Sequence, residues 1–264
     1  MCPIGSGPIA REVELSTMSS SRNTSGMVSV CMASYRGEKY IEEQVRSILQ
    51  QLGAGDELVI VDDASPDATV AVVEAIGDPR IRIERNAVNR GYVRGFERAV
   101  GLARGEFLLL ADQDDVWPAG RVDAMVTALG RARVVAGNYS VLGEDGRIPA
   151  RWPLTEAQSH RNLMNEFGLL VGYRPYFGCA MGLRRDAVDV YLPIPGYFTE
   201  SHDLWLAIVG NAARSIRHLP RVVVERRLHD ANATPLRWRS VTKILGARIM
   251  LARGLLEARR RTRR

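Results

Sequence analysis

The chain of 264 residues contains no apolar run near the roughly 18–20 residues that a helix needs to cross a bilayer. It has only three cysteines, Cys2, Cys31 and Cys179, odd in number and scattered. That pattern argues against a disulfide framework or a zinc site and fits a reducing cytosol. The first residues lack the charged start and apolar core of a secretory signal. They are small, polar and Ser-rich, so residues 1–26 are expected to be a disordered leader, with Met18 or Met27 as a candidate start. There is no Walker-type phosphate loop. "GSGPIA" has the spacing of a dinucleotide fingerprint, but it follows no strand and contains Pro8. Acid is scarce in one place only. Residues 237–264 carry ten Lys/Arg against Glu257, a net +9 that leaves the rest of the +6 chain at −3. A mildly acidic body speaks against nucleic-acid binding by the whole protein.

What is present is the balance of a globular protein: 46% apolar and 25% charged residues. "MVSVCMASY" is a short β-branched run, predicted as a buried strand. After it Ile41, Val45, Ile48, Leu49 and Leu52 share a helical face, which "GAG" ends. "ELVIVDDAS" predicts a second strand. "PDATVAVVEAIG" predicts a helix with Pro66 near its start and Gly77 after its end. "RIRIERN" predicts the third strand. The next helix turns Phe96, Ala99, Val100 and Ala103 inward, "EFLLLAD" is the fourth strand and "GRVDAMVTALG" the helix after it. This alternation implies an α/β fold with a mainly parallel central sheet and helices on both faces. The second half is less regular: strands in "ARVVAGNYSVLG" and "RVVVERRLH", a strand running into a helix in "GCAMGLRRDAV", and a helix in "SHDLWLAIVGNAA". That helix has Ser201 as N-cap and Leu204, Ile208 and Ala212 as its apolar face. Its mixed order suggests an extension of the first sheet.

Two of the predicted strands end in acids, Asp62-Asp63 and Asp112-Gln113-Asp114, followed by Asp115. In such sheets ligands bind beyond the carboxyl ends of the strands, which places both clusters along one crevice. Asp-Gln-Asp offers oxygen ligands to a hard divalent ion, Mg2+ or Mn2+, able to neutralise a departing diphosphate. The plainer alternative is a helix cap by Asp115 with the others solvated. Asp62-Asp63 is either a capped turn or a carboxylate that accepts the imide N–H of uracil or thymine.

The segments "VSVCMASYRGEKYIEEQVRSILQQ", "LVIVDDASPDAT", "NRGYVRGFERAVGLARGEFLLLADQDDVW", "GCAMGLRR" and "HDLWLAIV" occur in this order. Together, from about Met27 to His229, they resemble family 2 glycosyltransferases, particularly a rhamnosyltransferase-like branch. The resemblance implies a GT-A-type, Rossmann-like fold, a nucleotide-sugar donor and inversion at the anomeric carbon. It assigns Tyr35 and Asp63 to the donor base, with Asp62 beside them and Ala33 where many relatives have Thr. Asp112 and Gln113 also fall on the nucleotide-sugar side. Asp112 and Asp114 match the metal motif, Asp114 being the direct ligand, and His229 stands where the family often has a metal- or diphosphate-site histidine. The tyrosine usual in that last segment is absent. Asp203 matches the general base.

On this reading residues 27–236 are the glycosyltransferase domain, with 27–137 the nucleotide-sugar half and 138–236 the acceptor half. Gly178, Cys179, His202 and Trp205 are the acceptor-side candidates, each with a packing alternative: tight strand contact for Gly178, core for His202 and Trp205. Expected partners are a dTDP- or UDP-sugar and a bacterial cell-surface glycan or its lipid-linked precursor, with no nucleic acid. Residues 237–264 predict a basic amphipathic helix with Val241, Leu245, Ile249, Ala252 and Leu256 along one face. It either lies on an anionic membrane at the inner face of the cell or docks on the enzyme. Two rivals stand beside this reading. A nucleotidyltransferase making nucleotide sugars shares the sheet and the carboxylates but needs a Gly-rich basic loop, which "MASYRGEKY" replaces poorly. A nucleic-acid binder would act through the Arg-rich tail.

Overall fold

The structure is a computed structural model and describes residues 26–144, 146–149, 153–173, 175–229 and 241–263. The expected leader, apart from Gly26, and the first residues of the tail lie outside the described residues. In chain order the elements are β1 (Val28–Ser34), α1 (Ile41–Leu49), β2 (Glu57–Asp62), α2 (Thr69–Ile76), β3 (Ile81–Arg85), α3 (Tyr92–Leu102), β4 (Phe107–Ala111) and α4 (Arg121–Leu129). There follow β5 (Val134–Val141), α5 (Asn162–Val171), β6 (Met181–Arg184), α6 (Val188–Tyr191), α7 (His202–Ala212), β7 (Ile216–Arg226) and α8 (Val241–Thr262).

The seven strands form one sheet in the order β3-β2-β1-β4-β6-β5-β7. All run parallel except β6, which is antiparallel to both β4 and β5. The strand sequences explain why the sheet is sandwiched. Val28, Val30 and Met32 of β1 pack with Leu109 and Ala111 of β4 on the face covered by α1 and α4. Cys31 of β1 and Leu108 and Leu110 of β4 pack on the opposite face with α3 and α7. Both faces of these strands are apolar, as strands buried on both sides require. Each such side chain contributes about 1.5–3 kcal/mol on leaving water.

The second half joins the first sheet, and β5 is one continuous strand across residues 137 and 138, so the expected division into halves there cuts through an element. Two helix expectations are corrected. Ser201 holds the N-cap position of α7, but its side chain makes no capping bond. Asp203 Oδ1 instead accepts from the Leu204 amide at 2.8 Å. Nor is α7 amphipathic about Leu204, Ile208 and Ala212. Residues 205–211 are all buried, because α8 covers the flank that faces away from the sheet. In α8 the buried residues are Leu251, Gly254 and Ala258. A Cβ on Gly254 would stand 2.7 Å from the Phe198 ring, so this close approach requires glycine. The face expected to be the apolar contact, with Leu245, Ile249, Ala252 and Leu256, points outward.

Candidate active site

The carboxyl ends of β1, β2, β4 and β7 converge, and the polar groups there fall into two kinds. Asp62, at the end of β2, accepts from Ser34 Oγ (3.2 Å), Ser65 Oγ (2.6 Å) and the Ser65 amide (2.9 Å). Asp63 accepts from Asn86 Nδ2 (2.7 Å), the Arg90 amide (2.9 Å to each oxygen) and the Gly91 amide (2.7 Å). Three donors on a carboxylate with about four acceptor positions leave it room for one more. Gln113 is corrected from a donor-sugar contact to a brace. Its Oε1 accepts from the Tyr35 amide at 2.8 Å and its Nε2 donates to the Tyr35 carbonyl at 2.9 Å, which fixes the β1–α1 loop. Tyr35 itself is 38% exposed, with the Arg36 guanidinium 5.2 Å from its ring centre. Ala33 turns to α3, where a Cβ on Gly95 would meet its own at 2.8 Å.

The second kind is unbalanced. Polar atoms of Asp112, Asp115 and Cys179 all lie within 4.8 Å of one another. Burial, with Asp115 and Asp114 close by, pushes the Asp112 carboxyl up to about 8. Burial and Asp114 push Asp115 up to about 6, and its Oδ2 is buried without a hydrogen-bond partner. Asp114 reaches the other way: its Oδ2 is 2.9 Å from Nε2 of His229, whose ring stacks on Tyr40 at 5.1 Å. Arg227 ties this end of β7 to the acid loop, its amide donating to Asp115 Oδ1 at 3.2 Å and its Nε to the Asp114 carbonyl at 3.2 Å. Asp203, in the first turn of α7, lies close enough to add to the upward push on Asp112. Its own carboxyl is raised to about 6 by burial.

Asp203, half-buried and raised to about 6, is able to accept a proton, and the acids after β4 with their orphaned oxygen are able to receive a cation. The fold and this geometry frame the comparisons. The profile described as "Glycosyl transferase family 2" matches residues 29–192, more than half of the chain. The chain belongs to this family.

Among curated relatives, UDP-Glc:alpha-D-GlcNAc-diphosphoundecaprenol beta-1,3-glucosyltransferase WfgD of Escherichia coli is 26% identical over 186 residues, covering 69% of this chain and 70% of its own. Across eight curated relatives the matched share of their own length runs from 28% to 70%, so the chain spans less than two thirds of most of them. Among solved structures, S. aureus TarS residues 1–349 in complex with UDP-GlcNAc superimposes with a TM-score of 0.69 at 19% identity, over 87% of this chain and 66% of that one. Glucosyl-3-phosphoglycerate synthase from Mycobacterium tuberculosis, in complex with Mn2+, UDP and glucosyl-3-phosphoglycerate, gives 0.56 at 18% identity, over 88% and 79%. These two likenesses show the GT-A fold. The protein is therefore a GT-A glycosyltransferase of family 2.

The acid loop of this glycosyltransferase fits a hard divalent ion. Asp112, Asp114 and Asp115 offer carboxylate oxygens, one of them unpartnered, and mutual repulsion is what a cation would relieve. Cys179 borders the loop as a thiol, since burial, with Asp115 and Asp112 beside it, pushes its pKa well above the ordinary value.

Three acceptor candidates are corrected. Cys179 is buried, and its carbonyl accepts from Arg121 Nη2 at 2.6 Å, so it lies behind the acids and away from an acceptor. Trp205 is fully buried and its Nε1 donates to the Tyr191 carbonyl at 2.8 Å, which makes it core. Gly178 is buried too, and a Cβ there would stand 2.4 Å from His202 Nε2, so its smallness makes room for that ring. His202 is 5% exposed and stacks on Phe96 at 4.1 Å. Burial holds its pKa down to about 3, so the ring is neutral.

Two arginines escaped the sequence reading. Arg121 is wholly buried, donates to the carbonyls of Leu110, Cys179 and Val223, and is held down to about 9 by burial. It joins β4, the turn before β6, and β7 directly behind the acid loop. Arg226 lies beside Cys179, Asp115 and Asp112, with its guanidinium 5.0 Å from the Tyr139 and Phe177 ring centres. Its Nε is buried and unpartnered. The doubled "RR" in "ERRLH" was the available signal, but nothing in spacing says which arginine turns inward.

Proposed function

We propose that this glycosyltransferase is a divalent-metal-dependent, inverting enzyme that moves a hexose from a pyrimidine-diphosphate sugar to a hydroxyl of a bacterial surface glycan or its lipid-linked precursor. The carrying observation is the placement of Asp203, a carboxylate raised to about 6, within electrostatic reach of the Asp112 loop. An acceptor oxygen attacks the anomeric carbon from the side opposite the diphosphate. The new C–O bond forms as the old one breaks, the bonding pair leaves on the diphosphate, and the hydroxyl proton passes to the Asp203 carboxylate. Asp112, Asp114 and His229 would hold the ion, Asp115 being a further oxygen ligand. A bound Mg2+ or Mn2+ supplies Lewis-acid stabilisation of the departing diphosphate. Arg226 adds fixed positive charge beside it.

Toward the donor, Tyr35 offers a ring for the base, and Asp63 has one acceptor position left for a pyrimidine imide, with Asp62 shaping the turn beside it. UDP-hexose and dTDP-rhamnose are the donors this reading admits. The activity for which the E. coli relative is named supports a UDP-sugar and a diphosphoundecaprenol-linked acceptor. The manganese and UDP found with the mycobacterial synthase support the ion. Among the described residues no helix is long and apolar enough to cross a membrane. For a lipid-linked acceptor, a peripheral position at the inner face of the cell membrane completes the proposal.

The test is titration calorimetry with UDP-glucose, UDP-GlcNAc, dTDP-rhamnose and GDP-mannose, each with Mn2+ and with EDTA. Ion-dependent binding of one pyrimidine donor is expected. Equal affinity with and without the ion, or preference for GDP-mannose, overturns the assignment.

A further inference from the structure

α8 turns its docked row toward α7 and leaves a second apolar row outside. Leu245, Ile249 and Leu256 are 60%, 54% and 68% exposed and recur at helical spacing. α5 does the same beside it, with Leu163, Phe167 and Val171 at 67%, 57% and 47%. Two arginines of α8 show that the rows adjoin. Arg248 Nη2 donates to the Val171 carbonyl at 2.9 Å, and Arg259 Nη2 donates to Glu166 Oε2 at 2.6 Å. At 100° per residue both lie between the docked row and the outward row, so the outward row is the one bordering α5. The exposed apolar rows of the two helices thus lie side by side, with Arg248 and Arg259 between them.

Its edge is cationic. Arg253, Arg260 and Arg263 are exposed on the outward side of α8, and Glu257, the helix's single acid, is bridged by Arg260 and Arg261. Six large apolar side chains exposed on two adjoining helices mark a docking site. Charge chooses the occupant. A second copy related by a two-fold axis would bring one arginine-rich helix against another, a like-charge contact. Anionic headgroups around an apolar interior complement both features.

We propose that the outer faces of α5 and α8 dock on the surface of an anionic lipid bilayer, with the apolar rows in the acyl boundary and the arginines among the headgroups. This rests on the peripheral placement proposed for the enzyme, and it names the surface responsible. The reading of α8 as either docked or membrane-bound resolves into both, one face for each. Arg261 connects the two: it donates to the Val190 and Pro193 carbonyls, and its guanidinium lies 5.1 Å from the Trp205 ring, two residues after Asp203.

The experiment is co-sedimentation of the full chain with phosphatidylcholine vesicles, with and without phosphatidylglycerol, free of donor and acceptor. Binding to the anionic vesicles alone is expected. Phe167→Ser/Leu245→Ser/Ile249→Ser/Leu256→Ser, all solvent-facing, is expected to weaken it about tenfold or more with circular dichroism and melting unchanged. Parent and variant sedimenting equally, or no binding by the parent, overturns the proposal. So does a parent dimer, found by analytical ultracentrifugation, that the variant abolishes without any vesicle binding. Because no sugar is transferred in the assay, its failure leaves the glycosyltransferase chemistry untouched, and failure of that chemistry leaves the docking standing.

Discussion

Two acidic stretches that look alike as sequence, "VDDAS" and "ADQDD", meet opposite fates in the folded chain. The carboxylates of Asp62 and Asp63 are surrounded by donors from Ser34, Ser65, Asn86, Arg90 and Gly91. They organise the turn after β2 and the entry to α3. After β4, Asp112 and Asp115 lie together beside Cys179 with one Asp115 oxygen orphaned, while Asp114 turns to His229. Folding compensates the first pair internally and leaves the second to an outside partner. A buried charge without compensation is costly, and persists where a ligand supplies the balance. The comparison separates scaffold acids from chemical acids by what each touches, and it puts Asp203 with the second group.

The largest expected effect belongs to Asp203. Asp203→Asn keeps size and can still accept from the Leu204 amide, but takes the hydroxyl proton poorly. Turnover is expected to fall by at least ~100-fold, with donor affinity and melting nearly unchanged. In the parent, kcat/KM is expected to decline about tenfold per pH unit below about 6, because the protonated carboxyl accepts nothing. A mutant within a few-fold of the parent would move the base elsewhere. At Asp63 stability should fall together with affinity for a pyrimidine donor. Asp63→Ala leaves three N–H donors without their acceptor and is expected to cost about 2 kcal/mol of stability, read by urea denaturation. Loss of activity without loss of stability would place Asp63 with the chemical acids.

How much of this was legible follows the same division. The parallel half could be read because β-branched runs and 3.6-residue periodicity are local signals, and the acids stand at strand ends where any parallel sheet gathers them. The nearness of Asp114 and His229 followed from family position. The inward turn of Arg226 did not, because β7 slips register against β5 on either side of Asn138. Cys179 could not be placed behind the acids without knowing that β6 enters the sheet antiparallel, between β4 and β5. Trp205 stayed open between core and acceptor contact, because sequence does not say that α8, some fifty residues further on, covers it. Gln113 misled for a different reason. Its amide matches the backbone of Tyr35, a contact that sequence spacing does not encode.

A smaller effect is expected at the acid loop. Asp114→Ala removes one ligand oxygen and the partner of His229. Donor affinity measured calorimetrically with Mn2+ should fall about tenfold, an outer estimate for one ligand in an open site being 100-fold. In EDTA the same substitution should change affinity by less than a factor of about two, since no ion is there to be lost. Equal losses in both conditions would mean that Asp114 acts on the donor directly.

The gentlest probe is pH, and its sign is set by the raised carboxyls. Asp112, at about 8, and Asp115 and Asp203, at about 6, hold protons in the folded chain that they release when it unfolds into water. Between about pH 4 and 8 the folded state therefore binds more protons, less the one that His202, held down to about 3 by burial, takes up below about 6.5 only on unfolding, so ion-free protein should still become more stable as pH falls through this window. The slope is at most ~1.4 kcal/mol per pH unit for each group. Four other carboxyls act oppositely, Glu257 among them, held down to about 2 by hydrogen bonds from Arg260 and Arg261, but mainly below the ordinary carboxylate range and so outside the window. Burial pushes Asp67 up, yet hydrogen bonds from Thr69 outweigh it and hold the group low. Hydrogen bonds from Arg80 and Arg184 hold Asp78 and Asp186 low. Mn2+ should reverse the trend by competing with the protons of the acid loop. Its stabilising shift in melting temperature should be largest near pH 8 and fade toward pH 5. Asp63→Ala should lower every melting point in the series and leave that ion-dependent difference intact. A flat ion-free profile between pH 5 and 8 would show that the loop after β4 is compensated from within, as the turn after β2 is, and would dissolve the distinction between them.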